Sequence, residues 1–461
     1  MKAKPRLPRQ GRSLLEAIRQ FLTPAVWKQA HRFLPSRKKR WELQPLVLTL
    51  LCMTWCCGDS MPERFETAKA FCIVCRPKRQ RPGAGITGFQ KALGKLPPSV
   101  LRALAAALRK VFLPLFAAGW QTHGFVPLGV DGSRLECPRT KELERYVGCS
   151  GKKDSAPNLW LTAIVHLRLG LLWSWRLGTS HGSERDHLRR LIPTLPNKAL
   201  VVADAGFDGY DVFTDLEQAG VKFLIRMSSK VTLQVLAPLP KGWWDRDVYY
   251  WPKKAERKER PALPCRLMRI RSRKRGHDVY LLTNVMDRRQ LPLDVAAMFY
   301  RWRWENEGLF RTYKRTLAKV KLMSRTFQLV HREAEGSLLA LQLLLALGAR
   351  SVQPSWSAAG QTKSGKQKTK PASTLLPEGC SPRKVLLAIR DELYVRLGPR
   401  QRRRFGDRLK ESYRDRRERD SSKVARAWPR RKDHKPPKPP NILTLTDEQK
   451  VKIIGQKQRV A

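Results

Sequence analysis

Two short apolar runs, each ending in an aspartate, constrain the fold of this chain most. The run Phe125–Val130 ends at Asp131, and the run Ala199–Ala203 ends at Asp204, which a glycine soon follows. A short apolar run that stops at a turn residue predicts a buried strand. A carboxylate at the end of a strand is exposed enough to bind a metal and anchored enough to be precise. Each aspartate by itself is better explained as a turn-forming residue.

A stretch further along the chain carries four different polar groups. Residues 299–314 contain no proline and one glycine, which predicts a helix. A turn of about 100° per residue places four polar residues in one stripe of this helix: Tyr300, Arg303, Glu307 and Lys314. The apolar face beside the stripe comprises Phe299, Trp302, Leu309, Phe310, Tyr313, Leu317 and Val320. Glu307 is therefore expected at the edge of a core, where its carboxylate is rigid and partly shielded.

This combination of side chains suits a divalent metal with a phosphate beside it. Glu307 would supply a hard oxygen ligand. Arg303 and Lys314 would bind phosphate oxygens, and Tyr300 would donate one hydrogen bond. An amphipathic helix with a solvated face of ion pairs explains the same stripe about equally well.

The spacing Tyr-x2-Arg-x3-Glu-x6-Lys resembles the signature of the DDE transposases of insertion-sequence family four. Asp131 and the motif Asp204-x-Gly-Phe resemble the first and second aspartates of that family, in the same order. The resemblance runs from about Val126 to Lys321. It implies that Asp131, Asp204 and Glu307 are catalytic and hold two Mg²⁺ ions, for which Mn²⁺ would substitute. It also implies a synaptic homodimer and cut-and-paste chemistry through a hairpinned DNA end.

The order of elements predicts an α/β fold with a ribonuclease H-like catalytic core. Three consecutive strands are expected to pair as an antiparallel meander. Alternating helices and strands follow them, which is the order of elements in that fold. The core would comprise residues 121–227 and 286–350. Residues 228–285 resemble the β-rich insertion that this family places between its second aspartate and its glutamate.

Aromatic residues of the predicted insertion are candidates for contact with DNA bases. Five aromatic residues are interleaved with basic residues, a composition that suits backbone contact and base stacking: Trp243, Trp244, Tyr249, Tyr250 and Trp251. Ordinary sheet packing is the better explanation for any single one of them. Tyr280 precedes the signature helix at about the place where relatives offer an aromatic side chain to a flipped base. A tyrosine packed against the core is the competing interpretation.

The flanking segments predict three further units. Residues 1–120 read as an all-α N-terminal domain that grips the DNA end, with a packing or dimerisation module as the alternative. Residues 351–380 have the composition of a flexible linker. Residues 381–461 form a basic C-terminal region, partly disordered, that is expected to bind polyanions weakly and nonspecifically.

The charge of the chain indicates a polyanionic partner. Lys and Arg number 92 against 39 Asp and Glu, a formal net charge of +53. Double-stranded DNA, as element ends and as target, explains this excess more simply than a membrane does. No apolar run is expected to span a membrane, and the N-terminus leads into no signal-peptide core. The expected location is the prokaryotic cytoplasm, in association with the nucleoid.

The cysteines near the N-terminus allow a zinc site or simple core packing. Cys72-x2-Cys75 has zinc-knuckle spacing, and Cys56 with Cys57 could supply a second half. A repeated Cys-x2-Cys pair is missing, so reduced cysteines in the core are the favoured interpretation.

The expected function is a transposase that cuts DNA at element ends and joins the freed 3′-hydroxyls to a target. Two alternatives stay open: a catalytically inactive DNA-binding derivative, and a ribonuclease H-like nuclease without strand transfer. The intact acids argue against the first of these.

Overall fold

The computed structural model describes residues 13–35, 41–75, 85–149, 155–271, 278–359, 380–394, 409 and 438–458. Ten strands form one mixed sheet with the order β10-β6-β7-β8-β9-β5-β4-β1-β2-β3. The strands are β1 Val126–Glu136, β2 Asn158–His166, β3 Leu171–Gly178, β4 Ala199–Ala203, β5 Lys222–Arg226, β6 Thr232–Val235, β7 Asp245–Tyr250, β8 Leu263–Arg271, β9 Asp278–Thr283 and β10 Asn441–Thr444.

Helices precede, follow and cover the sheet. Those before it are α1 Leu14–Phe21, α2 Pro24–His31, α3 Leu43–Trp55, α4 Met61–Cys75, α5 Ile86–Gly94, α6 Pro98–Leu115 and α7 Ala117–Trp120. The others are α8 Lys141–Tyr146, α9 Glu184–Leu191, α10 Tyr210–Gln218, α11 Lys253–Arg257, α12 Leu293–Trp302, α13 Trp304–Arg311, α14 Phe327–Ala359, α15 Pro382–Tyr394 and α16 Asp447–Gln458. The mixed α/β class is as the sequence predicted.

The first three strands form the predicted antiparallel meander. β1 pairs antiparallel with β2, and β2 pairs antiparallel with β3. The turn between β2 and β3 needs a left-handed residue, which Gly170 provides with φ of 65°. β4 follows α9 and pairs in parallel with β1. β5 follows α10 and pairs in parallel with β4. This order of strands is what brings the ends of β1 and β4 together.

The predicted insertion extends the same sheet. β9 pairs antiparallel with β5, and β8, β7 and β6 follow outward. β10 pairs in parallel with β6, so part of the basic C-terminal region returns to form the edge of the sheet.

The long helix α14 packs against both the N-terminal helices and the sheet. The indole Nε1 of Trp55 on α3 donates to the carbonyl of Ala340, 3.3 Å away. The indole Nε1 of Trp175 on β3 donates to Oε2 of Glu335, 2.7 Å away. One continuous apolar core therefore includes residues from the N-terminal helices, α14 and the sheet. The division into domains stays a prediction.

In the described part of the chain, one helical segment, Phe327–Val352 within α14, is long and apolar enough to cross a membrane. The sequence analysis expected no such segment. Of the most apolar stretch of this helix, 94% is buried inside the protein. Helix α14 continues to Ala359, past the predicted start of the linker at residue 351, and residues 360–379 lie outside the described part of the chain.

The structure places Cys52, Cys56 and Cys72 in the core as buried cysteines that form no disulfide. The Sγ atom of Cys56 lies 3.3 Å from the carbonyl oxygen of Met53. Within the described residues, no three His, Cys, Asp or Glu side chains are grouped as a metal site requires.

Candidate active site

The register of two parallel strands puts Asp131 and Asp204 at the same level of the sheet. Gly129 on β1 pairs with Val202 on β4, so the same offset carries Asp131 to Asp204. β4 ends one residue earlier, at Ala203, which leaves the edge of β1 open beside the two carboxylates. Each aspartate accepts a 2.8 Å hydrogen bond on Oδ1 from the backbone N–H of the next residue. These bonds fix the direction of both carboxylates.

Helix α13 approaches β1 closely because Gly129 has no side chain. A Cβ atom on Gly129 would lie 2.7 Å from both amide atoms of Asn306. Asn306 is fully buried, and neither its Oδ1 nor its Nδ2 has a hydrogen-bond partner in the described part of the structure. Gly129 and Asp131 are two residues apart on one strand, so they share a face of the sheet. Helix α13 therefore lies over the same face as Asp131.

Arg303 brings a positive charge between the two aspartates. Its Nη1 lies 3.9 Å from Oδ2 of Asp131, and its Nη2 lies 3.7 Å from Oδ2 of Asp204. These are ion-pair distances and are too long for hydrogen bonds. The residue is only 7% exposed, and its buried Nε has no partner among the described residues. The predicted stripe residue is thus turned inward toward the carboxylates.

The prediction of one continuous α-helix over residues 299–314 is wrong, because the helix is interrupted at Arg303 and changes to a π-helical turn at its end. Helix α12 ends at Trp302 and α13 begins at Trp304, with i,i+3 hydrogen bonds on both sides of Arg303. A π-helical turn follows at Thr312–Thr316. Because 3₁₀ and π turns rotate each residue by a different angle from an α-helix, the four polar residues do not form one stripe.

Glu307 is exposed, in contrast to the predicted partial shielding. The apolar face predicted beside it is buried except for Val320, which is 55% exposed. Burial raises the pKa of Asp131, and the charges of Asp204 and Glu307 raise it further, while Gly132 and Arg303 oppose the shift. Glu307 is therefore close enough to act on Asp131 electrostatically, although the three carboxylates do not form a closed metal cage.

The other two stripe residues lie in different surroundings. Burial raises the pKa of the Tyr300 phenol, and the charge of Asp204 adds to this effect. Tyr300 therefore sits beside the aspartates. Lys314 lies in the π-helical turn, half-buried, and burial lowers its pKa. The structure brings Arg303 to both aspartates, and Tyr300 lies near Arg303, whose guanidinium carbon is 5.5 Å from the centre of the tyrosine ring.

Two residues near the aspartates were missed by the sequence analysis. Nη1 of Arg226, at the end of β5, lies 3.4 Å from Oδ1 of Asp204. Glu184, the first residue of α9, fills the space beside Gly132, where a Cβ would lie 1.9 Å from its Oε1. Burial raises the pKa of Glu184, and Asp131 raises it further. The available sequence signals were a basic residue ending a strand and a Ser-Glu helix start after the meander.

Tyr280 lies on β9, near the middle of the sheet, whereas Trp243 and Trp244 precede β7. Tyr249, Tyr250 and Trp251 are buried, so they are not available for base stacking. Tyr280, on β9, is half-buried, and its ring centroid is 6.1 Å from that of Trp243. Trp244 is 43% exposed, and the guanidinium carbon of Arg269 lies 5.2 Å from its ring. Trp244 therefore offers more free aromatic surface than Tyr280 does.

The residues at this site fit a divalent cation by their donor chemistry. Asp131 and Asp204 supply hard oxygen donors, and a cationic group, Arg303, already lies between them. Glu307 is exposed and one turn beyond Arg303, so rotation of its side chain can bring a third carboxylate toward the pair. This arrangement is that of an acidic site for phosphoryl transfer.

The part of the chain that carries the paired aspartates is similar to a known family of enzymes. Residues 126–343 match the family model described as the transposase DDE domain. A curated relative, the transposase InsG for insertion sequence element IS4 from Escherichia coli (strain K12), is 25% identical over 232 residues. These matches confirm the resemblance to DDE transposases of insertion-sequence family four. Proteins of this kind generally use divalent metal ions.

The extent of these matches is limited. The aligned part covers 48% of this chain and 52% of the relative, so the chain spans about half the length of the curated relative. A solved structure, the cryo-EM structure of a piggyBac transposase synaptic complex with hairpin DNA, has a TM-score of 0.41. It is 10% identical, with 86% of this chain and 85% of that chain covered.

Proposed function

We propose that this protein is a DNA transposase that cuts element ends and transfers the 3′-hydroxyl ends to target DNA. One observation carries the proposal: Asp131 and Asp204 lie side by side in the register of parallel strands β1 and β4, and the guanidinium of Arg303 lies between them. The family match over residues 126–343 supports it. The strand order β1 to β5 with α9 and α10 supports assignment of a ribonuclease H-like core.

Asp131, Asp204 and Glu307 are the proposed ligands of two Mg²⁺ ions, with Mn²⁺ as a substitute. When bound, these ions supply activation of the attacking oxygen and stabilisation of the leaving oxygen. The chain contributes the rest by position: the backbone N–H groups after both aspartates orient the carboxylates. Gly129 lets α13 lie close enough for Glu307 to act on Asp131.

Arg303 has two positions in this proposal. In the metal-free protein its guanidinium neutralises Asp131 and Asp204. If a bound divalent cation balanced these charges instead, Arg303 would be available to bind a DNA phosphate on the non-transferred strand. Lys314 and Tyr300 assist the same phosphate contact. This contact stabilises the sharp bend of that strand during hairpin formation.

The proposed partner is double-stranded DNA, held by a synaptic homodimer. The formal charge of +53 favours binding along the phosphate backbone. We propose that a base that leaves the DNA helix during hairpin formation stacks on Tyr280 and its neighbour Trp243, and on the exposed Trp244.

Tyr280→Ala and Trp244→Ala should each slow hairpin formation more than nicking. Normal hairpin rates in both would remove the stacking role.

The decisive test is cleavage and strand transfer of end-labelled DNA by Asp131→Asn, Asp204→Asn and Glu307→Gln. Each change removes a carboxylate charge without adding bulk, so end binding should survive while cleavage disappears. Arg311→Gln, an exposed change on α13, serves as the matched control. Cleavage above a few per cent in any one acid variant would exclude the three-acid assignment. Nicking by the wild type without joined products would indicate a nuclease.

The phosphate contact has a separate test on the same gels. Arg303→Ala and Lys314→Ala should retain first-strand nicking and lose about ten- to a hundredfold in the hairpin step, since a lost charge-assisted bond costs roughly 1.5–3 kcal/mol. Equal slowing of nicking and hairpin formation would mean that these residues only support the fold or general DNA affinity.

A further inference from the structure

A cavity of ≈ 150 Å³ opens at the edge of the sheet, beside β3, which is two strands away from Asp131 on β1. Helix α6, strand β3 and helix α9 form its walls, and β3 is the terminal strand of the sheet. Its polar lining consists of Arg102, Arg109, Ser174, Arg176, Arg190 and Thr194. We call this cavity the arginine pocket. It has room for several water molecules, each of which occupies about 30 Å³.

The positive charge in the arginine pocket exceeds the negative charge that the described residues bring to it. Glu335 pairs with Arg102 at 3.2 Å and also accepts a hydrogen bond from Trp175. Arg109, Arg176 and Arg190 form no ion pair with any residue that the structure describes. The guanidinium of Arg109 lies over the ring of Trp173, 5.6 Å from its centroid. Three guanidinium groups therefore face one cavity without a carboxylate partner.

Such a gathering of like charges is unfavourable until an anion enters. Burial lowers the pKa of Arg176, and the charges of Arg190 and Arg102 lower it further. Burial also lowers the pKa of Arg109 to about 10. The planar guanidinium fork matches the oxygens of a phosphate, and the hydroxyls of Ser174 and Thr194 add hydrogen-bonding groups. The chemistry of the lining therefore selects a phosphate group.

We propose that the arginine pocket binds a backbone phosphate of duplex DNA. The identity of the ligand rests on the proposed function, whereas the affinity for phosphate rests on the pocket alone. Arg176 pairs across the sheet with Thr162, which pairs with Gly132 beside Asp131. Two strand spacings separate them, about 10 Å. Arg176 and Gly132 share the face of the sheet opposite to Asp131, so a duplex cut at Asp131 would reach the pocket around the edge strand β3, within less than one helical turn of about 34 Å.

The first experiment measures phosphate binding without DNA. Thermal unfolding of the full chain is followed in inorganic phosphate and in chloride at equal ionic strength. The variants are Arg190→Gln, which is exposed, and Arg176→Gln/Arg190→Gln. Arg189→Gln is the control, because Arg189 is the adjacent residue on α9 and already pairs with Asp215 at 2.5 Å. Phosphate should raise the Tm of the wild type and the control, and much less that of the pocket variants. Equal rises in all four proteins would overturn the proposal.

The second experiment measures affinity for a short duplex as a function of salt. Arg190→Gln should bind about tenfold more weakly at low salt, and its plot of log affinity against log salt should flatten by about 0.9 for one lost phosphate contact. Unchanged DNA affinity, with phosphate binding lost, would overturn the assignment to DNA and identify a small-anion site. Because neither readout involves cleavage, failure of the transposase proposal on the acid variants is distinguishable from failure of this one.

Discussion

The guanidinium of Arg303 lies 3.7 Å from Oδ2 of Asp204, at a site where a divalent cation is expected to act. An internal cation and a metal ion cannot both neutralise the same carboxylates without repulsion. On the proposal that a metal binds here, Arg303 would have to leave the two carboxylates. The stability of the metal-free protein and its affinity for metal would then be linked through this one side chain.

The first prediction concerns Arg303→Gln. Loss of the cation should lower the free energy of unfolding in EDTA by up to about 1 kcal/mol, because both carboxylates of these ion pairs are partly exposed. It should also increase the gain in Tm on adding Mg²⁺, because the competitor of the metal is gone. Differential scanning fluorimetry with and without Mg²⁺ measures both effects. Arg311→Gln, exposed on α13, should match the wild type. An identical Mg²⁺ response in both variants would contradict the competition.

The second prediction concerns the packing of α14 against α3. A Cβ on Gly336 would lie 2.2 Å from Cδ2 of Leu50, so Gly336→Ala should cost about 1–3 kcal/mol through overpacking. Gly308→Ala on α13 is the control, since a Cβ there meets no described atom within 4 Å. That control should be neutral or stabilising by about 0.5–1 kcal/mol, because alanine favours a helix. Urea unfolding curves give both values. A neutral Gly336→Ala would show that the two helices can shift apart easily.

The third prediction concerns acid stability and His166. Burial lowers the pKa of His166 to about 4, below its usual 6.5. Its Nε2 lies 2.9 Å from the carbonyl oxygen of Trp120, and the N–H of Leu169 donates to its Nδ1. The unfolded chain therefore binds more protons between about pH 6.5 and 4. The contribution of His166 to the free energy of unfolding is fully present above about pH 6.5. It decreases by up to about 1.4 kcal/mol for each pH unit as the pH falls from there toward 4.

Urea unfolding at pH 7, 6 and 5 tests the slope rather than the absolute stability. His166→Gln should flatten the decline with falling pH, and His31→Gln, an exposed change, should not. Parallel curves for the wild type and His166→Gln would show that other groups control acid unfolding.

The fourth prediction concerns the basic C-terminal region. Arg402→Gln/Arg403→Gln/Arg404→Gln lies outside the described residues, so the expectation rests on charge alone. It should weaken nonspecific DNA binding and flatten its salt dependence by up to about 0.9 per lost phosphate contact. Tm should be unchanged. Deletion of residues 438–461 should instead lower Tm, because it removes β10 from the sheet. An unchanged salt slope in the triple variant would show that these arginines do not contact DNA.

The sequence by itself predicted the local elements and supplied the candidate acids, whose catalytic role stays a proposal. The apolar runs before Asp131 and Asp204 predicted β1 and β4, because a buried strand leaves a clear local pattern. The meander was predictable for the same reason. The spacing from Tyr300 to Lys314 indicated a resemblance to the DDE transposases, which the matches to known proteins support.

The tertiary structure decided where the charges face. Helical periodicity placed Arg303 in a polar stripe beside the apolar face of the helix. In the structure its side chain is buried between the carboxylates of Asp131 and Asp204. Uneven winding around Arg303 depends on packing against β1, where Gly129 leaves room for Asn306. The approach of Glu184 and the arginine pocket likewise depend on which helices meet the sheet. Such contacts join residues that are far apart in the chain, and a local pattern carries no information on their distance.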